Sequence, residues 1–291
     1  MSSLVFWRNG VVWRREGIPG WAWLRFIPQR QALVWCTFDA LHITWLARHT
    51  KGIKYTPPAG FVFLNYVLAI DQTDKPLIAV PAEGANVPSF HPLAFFKLET
   101  VDPVSGEVAR AQLGGFPLTA GFYGRTLWLG TMAFALSHAQ RFFLDKFEVR
   151  TNQKQLTMRR ISHSACPGLV QSYAGDEPVV VNRRGDQAFV GPIKVGLGTI
   201  DGPVKHVVGA QGQILVVSSS GDFGTARAPD WQYRRLGHLP TGDIVGEGRN
   251  RAGFWLAQPG LQITLIGWTG AVRTVNVKIR EVETSETRTP P

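Results

Sequence analysis

The chain has very little cysteine. Its 291 residues include two, Cys36 and Cys166. Far apart in sequence, they give no disulfide framework and no cysteine zinc-ligand spacing. Two free thiols in a reducing compartment are expected, the alternative being one bridge. Long apolar runs are also missing. The longest, AGFVFLNYVLAI from Ala59 to Ile70, is too short to span a bilayer and carries Asn65. Charges interrupt the apolar stretches of MSSLVFWRNGVVWRREG, so no signal pattern opens the chain. A cytoplasmic protein with no membrane span is therefore expected. Nor are there blocks of five or six like charges, although Lys+Arg total 31 against 21 Asp+Glu and the formal net charge is +10.

Familiar catalytic signatures are absent too. Ala210–Gln213 and Ser218–Gly221 are rich in small residues but lack the Lys-Ser/Thr of a phosphate-binding loop, and no helical pattern follows them. The seven histidines form no H-x-x-x-H or H-E-x-x-H. His163 lies close to Cys166, but a Cys–His nucleophile is assembled in space rather than along the chain. Asp39, Asp71, Asp102, Asp186, Asp201 and Asp243 fall near strand ends or turns. There aspartate is the ordinary turn former, because its side chain bonds nearby backbone amides. No catalytic, cofactor-binding or metal-binding residues are expected.

What is present is aromatic residues and turn formers: 10 Trp, 17 Phe, 31 Gly and 19 Pro. This favours short strands with frequent turns over long helices. Hairpin-like units recur. LVFWRNGVVWRRE places Asn9-Gly10 between two apolar arms, a type I′ turn signal. Further turns are predicted at Pro28–Gln31, Asp71–Lys75, Asp102–Gly106, Asn182–Asp186, Gln211-Gly212, Asn250–Gly253 and Thr269-Gly270. Antiparallel sheet follows, with no βαβ units. Thr131–Phe147 departs from this rhythm. Met132, Leu136, Phe143 and Phe147 fall on a helical face, and a short inserted helix is the expectation there, although Leu127, Leu129, Ala133 and Ala135 also alternate. EVETSETRTPP should be a disordered tail over residues 281–291.

A longer period underlies the hairpins. Val207-Val208-Gly209, Gly212 and Ile214-Leu215 can be laid on Ile244-Val245-Gly246, Gly253 and Trp255-Leu256. Val180-Val181, Gly185 and Phe189-Val190 form a looser upstream copy. An all-β repeat of about forty residues is the spacing of one four-stranded propeller blade. The fold class is then all-β, a β-propeller of six or seven blades over residues 1–280, with a double β-sandwich as the rival. Ring closure is expected through Leu4–Trp7 or Val11–Trp13 joining the last blade near Ala271–Val277. Over Pro178–Val277 the chain resembles a loosely patterned β-propeller. It lacks the Gly-His…Trp-Asp pairs of WD40 repeats and the Gly-Gly doublets of kelch repeats. Its Trp-rich composition is similar to that of the propeller components of bacterial conflict systems, which accompany a MoxR-type ATPase and a von Willebrand A-domain protein. The resemblance implies a bacterial, cytoplasmic scaffold.

Arginine doublets beside aromatics have the composition of interfaces. The candidate contact residues are Arg14, Arg15, Arg183, Arg184, Trp231, Arg234 and Arg235. Their alternative role is to protect sheet edges. The favoured function is a non-catalytic interaction module that binds a protein partner. Its rivals are a carbohydrate-active hydrolase, which needs carboxylates converging on one cleft, and a nucleic-acid binder, which needs a continuous positive face.

Overall fold

The computed structural model describes residues 2–8, 11–18, 23–27, 32–45, 52–64, 66–70, 77–85, 96–134, 140–152, 155–239, 243–250, 252–260 and 262–276. Among them there are 27 strands and no helix. The chain divides into two compact units. One comprises Ala22–Gly242; the other joins Met1–Trp21 to Asp243–Pro291.

The second of these units holds a hairpin and one sheet. Strands β1 (Ser2–Arg8) and β2 (Val11–Ile18) pair with Arg8 opposite Val11, the register that a two-residue connection demands. The first unit begins with sheet I: β3 (Trp23–Ile27), β4 (Ala32–Cys36), β5 (Leu41–Trp45) and β6 (Ile53–Tyr55). Sheet II contains β7 (Phe61–Phe63), β8 (Ala69–Ile70), β9 (Ile78–Gly84), β10 (Phe96–Val101) and β11 (Val108–Leu113). Its order is β11-β10-β9-β7, and β8 also pairs with β9. Sheet III is β12 (Phe116–Tyr123), β13 (Thr126–Phe134), β14 (Gln140–Asn152) and β15 (Gln155–Cys166). Sheet IV is β16 (Leu169–Ala174), β17 (Glu177–Val181), β18 (Ala188–Val190) and β19 (Ile193–Lys194). Sheet V is β20 (Val204–Ala210), β21 (Gln213–Ser218), β22 (Asp222–Arg227) and β23 (Gln232–His238). Sheet VI, back in the other unit, is β24 (Gly246–Asn250), β25 (Gly253–Gln258), β26 (Gln262–Gly267) and β27 (Val272–Asn276).

Each sheet is antiparallel and drawn from one stretch of chain, and all but sheet II, where β7 and β8 both pair with β9, are simple meanders. Local pairing keeps loop-closure costs small. The turn chemistry read from the sequence accounts for the connections. Gly212 (φ 68°) and Gly270 (φ 90°) take the left-handed conformation between β20 and β21 and between β26 and β27. AQGQ is therefore a hairpin tip.

Two expectations fail. Thr131–Phe147 supplies β13 and β14 rather than an inserted helix, with residues 135–139 outside the described set. The helical spacing arose because sheet III is covered on both faces. Leu127, Leu129, Phe147 and Val149 pack toward sheet II with Leu98 and Phe96. Leu144 packs the other way, with Val170 and Val180 of sheet IV. A strand buried on both sides loses its period of two. The N-terminal arm also differs: among the described residues β1 pairs only with β2 and β27 only with β26, so no strand pairing joins Leu4–Trp7 or Val11–Trp13 to the last sheet, although Met1–Trp21 and Asp243–Pro291 belong to one compact unit. A two-residue hairpin closes far more cheaply than a pairing across the whole chain.

Within Ala22–Gly242 the core is a succession of sheet-to-sheet layers. Ile27, Val34 and Leu41 of sheet I meet Ile78 and Val80 of sheet II. Val179, Val181 and Ala188 of sheet IV meet Val207, Ile214 and Val216 of sheet V. Sheets IV and V approach closely at Gly209, whose N–H donates to Ser172 Oγ at 2.8 Å. A Cβ there would collide with the Tyr173 carbonyl.

Candidate interaction site

The Asn182–Asp186 turn links β17 to β18. It is held by Asn182, whose Nδ2 donates to Asp186 Oδ1 at 2.6 Å and whose Oδ1 accepts from the Gln187 N–H at 3.2 Å. The Gly185 N–H donates to the Asn182 carbonyl at 3.0 Å. Its own carbonyl accepts from the Val204 N–H at 2.8 Å, tying the turn to sheet V. Gly185 is required: it is buried at φ 73°, and a Cβ would meet Pro203 and Val204. The two residues left at the tip, Arg183 and Arg184, are exposed.

These arginines line a groove of about 440 Å³ in which Lys205 of β20 is the third cation. Phe142, Leu169 and Val181 contribute apolar surface. The lining contains no carboxylate. Among the described residues none of the three cations takes part in an ion pair. The groove is thus positive, open and preorganised.

The other arginines behave differently. On sheet III Asp145 is 1% exposed and lies 3.2 Å from Arg160 Nε and 2.9 Å from His163 Nδ1, while Thr131 Oγ1 donates to it at 3.2 Å. On sheet V Asp222 is 2% exposed and accepts from Arg235 Nη2 at 2.7 Å, with His238 Nδ1 at 2.9 Å and the Asp201 N–H at 3.3 Å. The two clasps share a construction. The acid sits on the third strand directly opposite a histidine on the fourth, and a bulge at Ile161 or Leu236 brings the arginine of an Arg-x-x-His back to it. On sheet II Glu99, 2% exposed, accepts from Arg110 Nε at 2.6 Å in the corresponding strands. The hydrogen bond from His238, aided by Asp201 and Arg235, holds the Asp222 carboxyl below the usual carboxylate range.

Of the seven candidates, Arg183 and Arg184 share this groove. Trp231 is corrected to a core residue: it is 5% exposed among Val195, Ala226 and Val207, because its backbone bonds to Arg227 and Gly196 turn the ring inward. Arg235 is committed to Asp222, and Arg234 is exposed on the outer strand β23. Arg14 and Arg15 lie on β2 opposite Val5 and Leu4, and their side chains fall outside the description. Among the candidate carboxylates, Asp102 bonds the Val104 and Ser105 amides and Asp39 bonds Thr37, as turn residues do. Asp71 lies outside the described residues. Cys36 and Cys166 are free. Burial pushes the Cys36 thiol up to about 12 and raises Cys166, which donates to the Gly168 carbonyl, while His163 faces Asp145. The Cys–His pair is therefore not assembled. No cluster that could hold a metal occurs among the described residues. No helix among them is long and apolar enough to cross a membrane. The sequence reading missed the clasp acids Glu99, Asp145 and Asp222. The signal that would have found two of them was the recurrence of Arg-x-x-His downstream of an Asp.

No known protein family matches the sequence, and neither does any curated protein. Solved structures do match in shape. The β-propeller domain of the trilobed protease from Pyrococcus furiosus, which has an open velcro topology, superposes with a TM-score of 0.60 at 11% identity, covering 94% of this chain and 88% of that one. The fold is a β-propeller. An acylaminoacyl peptidase in complex with a chloromethyl ketone gives a TM-score of 0.65 at 10% identity, over 91% of this chain and 46% of that one. This propeller thus spans about half the length of that peptidase. BBS1N in complex with ARL6DN gives 0.57 at 11% identity, over 94% and 83%.

Proposed function

We propose that this propeller, extending over residues 1–280, is a non-catalytic interaction module that binds a protein partner at the groove of Arg183, Arg184 and Lys205. One observation carries the reading: three cations without ion-pair partners among the described residues converge on a single preorganised groove that contains no carboxylate. Unpaired arginine over apolar surface is what anchors interfaces. That a structure of similar shape, BBS1N, is in complex with ARL6DN is consistent with this use of the scaffold, but fold does not decide function.

The hydrolase reading finds less support. Its carboxylates must converge on one cleft, whereas Glu99, Asp145 and Asp222 are each clasped by a cation of their own sheet. The resemblance to conflict-system propellers makes a cytoplasmic MoxR-type ATPase and a von Willebrand A-domain protein the first partners to try. The test is capture by the tagged full chain, compared with R183E/R184E, alongside a turnover screen with glycosides, esters and peptides. Loss of the captured protein in the variant, at unchanged melting temperature, supports the module. Robust turnover abolished by one Asp or Glu substitution overturns it.

A further inference from the structure

We infer that the groove's occupant is a short acidic peptide segment with one apolar side chain, its carboxylates on Arg183, Arg184 and Lys205 and its apolar residue against Phe142 and Leu169. This rests on the module reading above and gives the partner a chemistry.

Charge complementarity comes first. Three cations and no carboxylate line the space, and the nearby Asp186 is engaged by Asn182 at 2.6 Å. These exposed cations have no ion-pair partner among the described residues, so their N–H groups are available for charge-assisted hydrogen bonds to an arriving carboxylate. Shape comes second. About 440 Å³ lies within the range of small-ligand and peptide pockets. That is a seat for a few residues, whereas a track for single-stranded nucleic acid needs a long basic path with successive aromatic platforms. Phe142 is the one aromatic in the lining, and it is half-buried. The apolar surface comes third. Phe142 and Leu169, both half-buried, lie beside the buried Val181, which suits one aliphatic or aromatic side chain better than a bare phosphate. Preorganisation comes fourth. The Arg183-Arg184 tip is bonded to both sheet IV and sheet V, so little backbone entropy is lost when the anion arrives.

The experiment uses the full chain and fluorescence anisotropy. The probes are a labelled eight-residue peptide with several Glu around one Leu, its Glu→Gln and Leu→Gly counterparts, and a single-stranded oligonucleotide. The acidic peptide should bind in a salt-sensitive way. Its affinity should fall about tenfold or more with Glu→Gln in the peptide, and by a smaller factor with Leu→Gly. R183E/R184E should lose binding, R183K/R184K should keep much of it, and K205E, on the neighbouring sheet, serves as the second variant should the turn variant fold poorly. Acidic-peptide binding that all these variants retain overturns the inference, as does tight oligonucleotide binding without peptide binding. If no acidic peptide binds but R183E/R184E still abolishes partner capture, this inference falls and the module reading stands. If capture is also unaffected, both fall.

Discussion

Arg183-Arg184 and Arg234-Arg235 are the same dipeptide on adjacent sheets, and the fold treats them in opposite ways. The first sits at a turn tip over a groove, with no anion of its own among the described residues. The second lies on an outer strand, where a bulge lets Arg235 reach the buried Asp222. An arginine beside a buried carboxylate is structural, since that carboxylate would otherwise be desolvated and unpaired. An arginine without such an acid keeps its charge available for a ligand. Composition alone does not separate the two, because the deciding residue lies on another strand.

This contrast can be broken at several points. The largest effect is expected at Trp231, which the fold moves to the structural side. W231A should cost about 4 kcal/mol of unfolding free energy by emptying the space between Val195 and Ala226. A loss below about 1 kcal/mol in urea unfolding would show that the ring is not core. Next comes the sheet III clasp. D145A should cost about 1–2 kcal/mol, because the buried Thr131 hydroxyl loses its acceptor while Arg160 and His163, more than a third exposed, rehydrate. Thermal unfolding of D145A beside R160Q measures this, and R160Q, removing one partner of three, should cost less.

A smaller effect is expected from pH at the sheet V clasp. The Asp222 carboxyl is depressed in the folded protein, so its contribution is complete above about pH 5 and is lost as the pH falls through about 4 toward its folded value. The melting-temperature advantage of the native protein over D222N should shrink across that range. An advantage that is constant or grows on acidification would contradict the assignment. The smallest change in stability is expected at the groove. R183E/R184E should stay within about 0.5 kcal/mol of the native protein, because no internal partner is lost. A larger destabilisation would mean that these arginines belong with the clasps and would remove the sharpest part of the comparison.

Much of the fold was legible because its signals are local. Asn9-Gly10, Gln211-Gly212 and Thr269-Gly270 announce hairpins through backbone conformations that few residues tolerate. Apolar arms of blade length repeating about every forty residues point to stacked four-stranded sheets. The Asn182–Asp186 turn, and hence the exposure of Arg183 and Arg184, was readable in the same way. The candidate site was legible to that extent and no further. Lys205 and Phe142 reach the groove from sheets V and III, and nothing in their neighbouring residues marks them.

The sequence by itself determined that the chain is built of short antiparallel strands, where most of them turn, and that it offers more cation than anion. Tertiary structure decided what depends on a second sheet. It made β13 and β14 strands by covering both faces, against a helical spacing of their apolar residues. It drew Trp231 into the core and committed Arg160 and Arg235 to buried acids, leaving Arg183, Arg184 and Lys205 around one open groove. The physical reason is range. Turn conformation and strand propensity are set within a few residues, whereas burial and ion pairing are set by whichever strand packs alongside, often many residues away.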